Sequence, residues 1–397
     1  MLSRSNCFLK REDREFHLNS ITIIAEINYN ITSLIDVLGL VQGLFLGIIL
    51  IVESRKQKPT LILGFFLIAY SIELLNSILD DLGMLEHYPQ LLFLPIDFFY
   101  LTIPLFYIYI NYITGIHLSR NKIFKILFPG IFEFLFFLVL YLLPVNLKSA
   151  IDTSTLGEIT IGLFIFCSFP YSIYYVIKSI RHINKAKIEL ENTYSNTEGK
   201  LLNWAKGVLV FILTFNSLWF IEIFQDDDFF DTYTYPIMAA INVVFIFWAG
   251  ISGLRQSKIF GSESRLLHFN ESQDDIQDIS SEKTLRSNLD YDRLVTLMVN
   301  DKLYKEPNLS LIDVAKLLQM PARSLSKIIN ENSSKNFNQF VNYYRVEEAK
   351  KLLKDSNYNN LTILGIAYDA GFSSKASFYS VFKKFTKNTP NTFKTSG

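Results

Sequence analysis

Cysteine is scarce in this chain: Cys7 and Cys167 are the two among 397 residues, and Cys167 lies inside an apolar run. Two such residues supply neither a disulfide framework nor a thiolate metal cluster. Histidine is scarce too, and the five, His17, His87, His117, His182 and His268, are scattered without ligand spacing. There is no phosphate-cradling glycine loop, no nucleophile motif and no kinase or receiver signature. Enzymatic activity is therefore not expected, nor is a cofactor or metal, and a signal would have to pass by conformation rather than phosphoryl transfer. An excess of one charge is missing as well, because 38 Lys and Arg balance 38 Asp and Glu. Residues 1–19 are polar and lack a short apolar core before small residues, so no signal peptide is read there.

What the chain has in excess is apolar and aromatic residues. Half of it is hydrophobic, with 35 Phe and 21 Tyr, which is more than one soluble core requires. Seven apolar stretches follow one another, at 34–52, 60–79, 91–113, 124–143, 159–177, 204–224 and 233–254. Each approaches the roughly 20 residues that cross a hydrocarbon core of about 30 Å. A large soluble helical core is the competing reading, and seven such runs in succession argue against it. The expected fold class is all-α: a seven-helix transmembrane bundle, then a soluble all-helical domain. In detail, a tail (1–33), a seven-span domain (34–254), an acidic flexible linker (255–284) and a C-terminal domain (285–397) are expected.

Loop charge orients the spans without reference to hydropathy. Arg55, Lys56 and Lys58 follow the first span, Arg120, Lys122 and Lys125 the third, and Lys178, Arg181, Lys185, Lys187 and Lys200 the fifth; Arg255 and Lys258 follow the seventh. The alternate loops are acidic or nearly neutral, with Asp80, Asp81 and Glu86 after the second span, Lys148 after the fourth, and Asp226, Asp227, Asp228 and Asp231 after the sixth. Because basic loops stay cytoplasmic, the C-terminus is expected in the cytoplasm and the N-terminus outside a bacterial inner membrane. Arg4, Lys10, Arg11 and Arg14 run against this, diluted by Glu12, Asp13 and Glu15. Either the tail is exported despite them or translation starts beyond Met1.

Carboxylates inside spans are costly and so invite a functional reading. Asp36, Glu73, Asp97 and Glu222 fall in the external halves of their spans, with Glu133 near the middle of the fourth. Two readings stay open. Together they line a pocket for a cationic or hydrogen-bonding ligand, or sense external pH; alternatively each is satisfied by Asn76, Asn111, Asn216, Tyr100 or another span. Pro104, Pro129 and Pro170 lie within spans and are expected to kink them.

Beyond the spans the chain changes character. Residues 259–284 hold six acids, among them Asp274, Asp275 and Asp278, against Arg265 and Lys283, whereas 285–397 hold 17 Lys and Arg against 10 Asp and Glu. The first composition suits a flexible linker and the second a polyanion partner. From Leu289 an amphipathic helix carries Leu294, Leu297 and Met298, followed by Leu303. Ser310 is placed to cap a helix over 311–319 that turns Leu311, Val314, Ala315, Leu317 and Leu318 inward. A second helix, 322–332, follows Pro321 and buries Leu325, Ile328 and Ile329. A small Ala, a turn and a second short helix form a helix-turn-helix signature. The arrangement recurs 52 residues later: Ala367 in a helix over 363–369, Gly371 in the turn, then a helix over 374–385 with Phe378, Val381 and Phe382 inside. Glycine suits a turn that needs positive φ, and Gln319 stands there in the first copy. Between the copies, 338–354 reads as a long linking helix with Phe340, Val341, Tyr344, Ala349, Leu352 and Leu353 buried. Two motifs held at fixed spacing suit two successive major-groove segments.

Residues 289–395 resemble the DNA-binding domain of the AraC/XylS transcription regulators. The likeness rests on Arg345 to Leu353 in the linking helix, Ile366 to Phe372, Phe382 to Phe385, and Thr389, Pro390 and Phe393. Asn388 stands where that family has Gly, and Asn tolerates the same left-handed backbone. The resemblance implies base-facing positions at Arg323, Ser326 and Lys327 in the first recognition helix and at Lys375, Ala376, Tyr379 and Ser380 in the second. Lys335, Ser374, Lys383 and Lys384 fit phosphate contacts. Spans and domain together resemble membrane-embedded members of that family. The expected function is a membrane-bound one-component regulator acting as a homodimer, with double-stranded DNA, the lipid bilayer and an unidentified ligand as partners. Two alternatives stand beside it: a transporter whose DNA module reports flux, and a membrane-anchored constitutive DNA-binding protein.

Overall fold

The computed structural model describes residues 30–54, 58–197, 202–222, 234–263, 282–358 and 360–395. Every regular element among them is a helix, and the one strand-like feature is an isolated antiparallel bridge between Tyr194 and Ser310. The chain divides into two compact units, Met1–Ile183 with Leu202–Asn270, and Asn184–Leu201 with Glu271–Gly397.

The first unit contains α1 (Ile31–Glu53), α2 (Lys58–Asp81), α3 (Thr102–Ile113), α4 (Arg120–Tyr141), most of α5 (Thr155–Thr193), α6 (Asn203–Glu222) and α7 (Tyr235–Glu263). Asn30 starts α1 by accepting the Ser33 amide at 2.7 Å, which satisfies one of the orphan donors of the first turn. Gly39, Gly43 and Gly47 then recur every fourth residue on its inner face. A methyl added at Gly47 would meet Ile68 Cγ1 at 2.6 Å and the Gly64 carbonyl oxygen at 3.0 Å, so the backbones of α1 and α2 are close enough to exclude any side chain. Small residues at this spacing let apolar helices pack tightly where no water drives them together. The core behind them contains Leu50, Phe66, Leu67, Phe106, Ala205, Val208, Leu209 and Ile246. The opposite face of α1 exposes Leu34, Leu38, Val41, Phe45, Ile48 and Val52. Phe124, Phe128, Phe132, Leu135 and Val139 of α4 and Ile237, Ile241, Val244 and Phe247 of α7 also point outward.

Among the described residues, five helices are long and apolar enough to cross a membrane: Ile31–Glu53, Lys58–Asp81, Arg120–Tyr141, Thr155–Thr193 and Tyr235–Gln256. Seven were expected, and the third departs from that expectation. The stretch 91–113 is not one helix. A 3-10 turn at Pro89–Leu91 leads into irregular chain with Phe93 at φ 62°, and α3 is a shorter apolar helix starting at Thr102. Pro95 has no amide to give a helix, and the side chain of Asp97 is engaged with Asn76 of α2 at 2.9 Å, so helix formation waits until both are passed. Pro104 therefore sits in the first turn of α3, where a missing amide costs nothing, and does not kink a span. Pro129 and Pro170 lie inside α4 and α5, as expected. The sixth stretch is helical as α6 over 20 residues, and the side chains of its last residues, 219–222, lie outside the described part. The α7 helix continues to Glu263, so 255–263 is helical rather than linker. The acidic run Asp274, Asp275 and Asp278, the Arg55–Lys56 pair, Lys200, and Asp226, Asp227, Asp228 and Asp231 lie outside the described residues.

The second unit contains α8 (Glu282–Val299), α9 (Leu311–Leu317), α10 (Ala322–Ser333), α11 (Phe337–Lys354), α12 (Ile363–Asp369), α13 (Lys375–Thr386) and α14 (Pro390–Thr395). It has two small cores joined by one spine. Phe337, Phe340 and Val341 of α11 pack with Leu294, Met298, Val314, Leu325 and Ile329, whereas Val346, Ala349 and Leu353 further along the same helix pack with Ile366, Phe372, Phe378 and Phe382. Because one continuous helix belongs to both cores, the distance between the two motifs is set by α11 itself. Leu317, expected inside, is exposed, because the buried face runs through Leu311, Val314, Ala315 and the C-cap Leu318, and Leu317 lies off it.

Candidate nucleic-acid interface

Each motif is built by local chemistry that repeats. A capping box starts α9: the Ser310 hydroxyl accepts the Asp313 amide at 3.2 Å, and the Asp313 carboxylate accepts the Ser310 amide at 3.2 Å. After α9 the chain reverses through Gln319 at φ 54°, with its amide donating to the Lys316 carbonyl at 3.1 Å and the Met320 amide to that of Ala315 at 3.0 Å. The second motif reverses through Gly371 at φ 93°, with the Gly371 amide on the Tyr368 carbonyl at 2.9 Å and Phe372 on Ala367 at 3.0 Å. These paired bonds are a Schellman closure, which satisfies carbonyls that the helix end leaves open. Both turns thus adopt the left-handed backbone, and glycine is absent from only the first. At Gly371 a side chain is excluded twice over, since a Cβ would lie 2.6 Å from the Tyr304 carbonyl oxygen and 2.7 Å from Lys305 Cα. Small Ala315 and Ala367, both buried, let each first helix cross the second closely.

The second helices, α10 and α13, are amphipathic. In α10, Leu325, Ile328 and Ile329 are buried while Arg323 and Lys327 are exposed and Ser326 is half-exposed. Lys327 reaches Glu331 at 3.5 Å, an exposed pair that water and salt screen. In α13, Phe378 and Phe382 are buried, and Lys375, Ala376 and Ser380 are exposed. Tyr379 is half-buried: its hydroxyl donates to Asn391 Oδ1 at 3.2 Å and its ring lies 5.7 Å from the Lys375 ammonium. Ser374 caps α13 by accepting the Ser377 amide at 3.1 Å, directly before Lys375. Lys383 and Lys384 are exposed one turn before its end. Lys335 follows α10, donating to the Ser333 carbonyl at 3.3 Å and lying 5.3 Å over the Tyr343 ring. The sequence of α13 contains three lysines and no acid, so its field is uniformly attractive to phosphate.

Between the motifs lies Arg345, which opens the matching stretch of the linking helix and whose buried role the sequence does not give. Arg345, in the middle of α11, is 1% exposed. Its Nε donates to the Tyr304 carbonyl at 2.7 Å, and its Nη2 to the Glu306 carbonyl at 2.7 Å and to Ser195 Oγ at 3.1 Å. The guanidinium also lies 5.9 Å from the Phe372 ring centre. Burial pushes its pKa down to about 10, which leaves it protonated at neutral pH. It is held by carbonyl dipoles, and the nearby carboxylate of Glu348 is taken by Lys305 at 3.0 Å and Lys302 at 3.6 Å.

In the first unit the expected acids do not sit bare. Ser77 donates to Asp36 at 2.9 Å, Asn76 to Asp97 at 2.9 Å, the Thr102 hydroxyl to Glu73, and the Tyr100 amide to Glu133 at 3.1 Å. Glu73, Asp97 and Glu133 are close enough to interact electrostatically, whereas Asp36 interacts with Asp81 instead. Glu133 is fully buried, and its second oxygen has no hydrogen-bond partner among the described residues. Glu222 ends α6, and its side chain lies outside the described part. Among the described residues no group of His, Cys, Asp and Glu could hold a metal ion.

Two turns of one design, two amphipathic second helices and one spine now stand beside the sequence match: residues 314–396 fit the family model described as a helix-turn-helix domain. This is an AraC-type helix-turn-helix domain. The same region is 37% identical over 93 residues to an uncharacterized HTH-type transcriptional regulator of Staphylococcus aureus (strain COL), covering 23% of this chain and 12% of that protein. It is 36% identical over 90 residues to the uncharacterized transcriptional regulatory protein YesN of Bacillus subtilis (strain 168), covering 22% of this chain and 24% of that protein. The chain spans about an eighth to a quarter of the length of these relatives, so the likeness concerns the helix-turn-helix domain alone. No solved structure matches the chain.

Proposed function

We propose that this chain is a membrane-embedded transcription regulator whose helical first unit lies in the lipid bilayer and whose helix-turn-helix domain reads a promoter from the cytoplasm. One observation carries the reading. A single polypeptide joins helices that turn Phe, Leu, Ile and Val outward along their length to a domain that turns Arg and Lys outward on two short helices. An apolar exterior of that extent is unstable in water, and lipid is the solvent that accepts it. The charge pattern of the loops favours a cytoplasmic C-terminus and an external N-terminus in a bacterial inner membrane.

In this reading Arg323, Ser326 and Lys327 of α10 and Lys375, Ala376, Tyr379 and Ser380 of α13 face base edges. Lys335, Ser374, Lys383 and Lys384 meet phosphates. Two such chains form a homodimer on a paired site, as helix-turn-helix proteins commonly do. Asp36, Glu73, Asp97, Glu133 and Glu222 are the candidate sensing groups, acting on an external or membrane ligand. The hydrogen bonds of Asp36, Glu73 and Asp97 also fit a purely structural role. Replacing Glu73 by Gln or Asp97 by Asn separates the two, since a structural role leaves the transcriptional response unchanged. No cofactor is assigned, and neither transport nor constitutive anchoring has an observation of its own in its favour.

The test is genome-wide mapping of DNA occupied by the tagged full-length chain beside an Arg323→Ala, Lys375→Ala double variant. The reading expects discrete promoter sites that disappear in the variant. Occupancy no different from an untagged control refutes it.

A further inference from the structure

We propose that residues 194–196, which directly follow α5, are a strap that docks on the helix-turn-helix domain and sets how its two motifs are held. Through this contact the sensing helices control DNA binding. The inference rests on the DNA-binding reading above and adds the surface that would regulate it.

The strap is three residues long, and it touches the start of the first motif, the spine and the turn before the second recognition helix. Tyr194 and Ser195 are buried, at 6% and 2% exposure. Tyr194 forms the antiparallel bridge to Ser310, and the Ser195 amide donates to the Leu309 carbonyl at 3.0 Å, so the strap pairs with the start of the first motif. On the spine, Asn338 Nδ2 donates to the Ser195 carbonyl at 2.7 Å and to that of Tyr194 at 3.2 Å, and buried Asn342 lies 3.5 Å from the same Ser195 oxygen. Arg345 holds Ser195 Oγ at 3.1 Å with the nitrogen that also holds the Glu306 carbonyl. Beyond them, Asn196 Nδ2 donates to Ser373 Oγ at 2.7 Å, one residue before the cap of the second recognition helix. One strap therefore spans the entrance of motif one, the middle of the spine and the entrance of motif two.

Two physical features make this a switchable contact and not simply a packed loop. Connecting segments ordinarily run over the surface and satisfy their own backbone locally, whereas here the polar groups of the strap are matched by side chains more than a hundred residues further along the chain. The pairing is mostly polar, and hydrogen bonds of this kind exchange with water at small net cost, unlike the two apolar cores on either side. The strap is also the direct continuation of α5, whose earlier residues belong to the membrane-type unit. Movement at the end of that helix has a short covalent path to all three parts of the reader.

The test uses the full-length chain with Cys7→Ser and Cys167→Ser, in two forms. Asn196→Ala with Asn338→Ala releases the strap. Asn196→Cys with Ser373→Cys, oxidised in the purified chain by oxidised glutathione, locks it by a disulfide that reductant reopens in the same sample, so a folding defect is told apart from a locked state. Amide exchange over 309–313 and 371–377, and occupancy of DNA fragments carrying the chain's chromosomal sites, are read for both with the purified full-length chain in detergent. The proposal expects release to raise exchange in both segments at least threefold, and released and locked chains to differ in occupancy at least threefold. A smaller change in either measurement overturns it. If the parent chain occupies no chromosomal site, the DNA-binding reading fails, and the exchange measurement by itself still decides whether the strap holds the two motifs.

Discussion

Gly371→Ala is the sharpest test of the repeat, because the structure gives it a partner position that must behave differently. At φ 93° an L side chain is strained, at a cost of about 1–2 kcal/mol for a left-handed non-glycine residue. The new methyl would also lie 2.6 Å from the Tyr304 carbonyl oxygen and 2.7 Å from Lys305 Cα, both main-chain atoms that cannot rotate away. Forcing a methyl into a filled site adds roughly 1–3 kcal/mol, so the expected loss is about 2–5 kcal/mol. Gln319 occupies the same turn of the first motif at φ 54° and already bears a side chain. Gln319→Ala exchanges one L side chain for another at the same backbone angle and an exposed site, so it should change stability by less than about 0.5 kcal/mol. The assay is urea-dependent proteolysis of the full-length chain in detergent, following cleavage within 282–395. A Gly371→Ala loss below about 1 kcal/mol, or a Gln319→Ala loss of equal size, would refute the argument that the two turns share a geometry but differ in crowding.

Arg345→Met leaves the buried Tyr304 carbonyl and the part-buried Glu306 carbonyl without their donor, and an unmade buried hydrogen bond costs about 1–3 kcal/mol, to be read in the same proteolysis assay. Arg323→Ala should lower affinity for the cognate promoter by about 1–3 kcal/mol while sparing unrelated DNA, whereas Lys384→Ala should weaken both alike and flatten the salt dependence of binding. Burial raises the pKa of Glu348, but the hydrogen bond and charge of Lys305 together with the charge of Lys302 bring it below the usual carboxylate value of 4.5. A depressed carboxylate stabilises the fold above its unfolded pKa and loses that contribution as pH falls through the folded value. Acidification below about pH 4.5 should thus destabilise the domain, and Glu348→Gln should remove that component of the pH dependence.

Much of the second unit was legible because its signals are local. The Ser310 cap, the buried faces of α10 and α13, the turn glycine and the spine follow from spacing within a dozen residues. Leu317 is exposed because the buried face of α9 runs through Leu311, Val314, Ala315 and Leu318, at the helical spacing of three and four, and Leu317 falls beside it. In the first unit hydropathy found apolar stretches but not their breaks. Pro95 and the engagement of Asp97 by Asn76 decide where α3 begins, and that contact with α2 is not written in the local run. The glycine stripe in α1 was overlooked, although its spacing of four is visible in the chain. The strap could not be read at all, because Ser195 and Asn338 are 143 residues apart and each is an unremarkable polar residue in its own neighbourhood.

Reporter fusions placed after Gly397 test most directly the claim that one chain both lies in the bilayer and reads DNA inside the cell. The account predicts that a fluorescent protein matures there and that alkaline phosphatase, which needs the far side of the membrane, stays inactive, with the chain held in a carbonate-washed membrane pellet. Active phosphatase at that position, or a chain recovered in the soluble fraction, would contradict it.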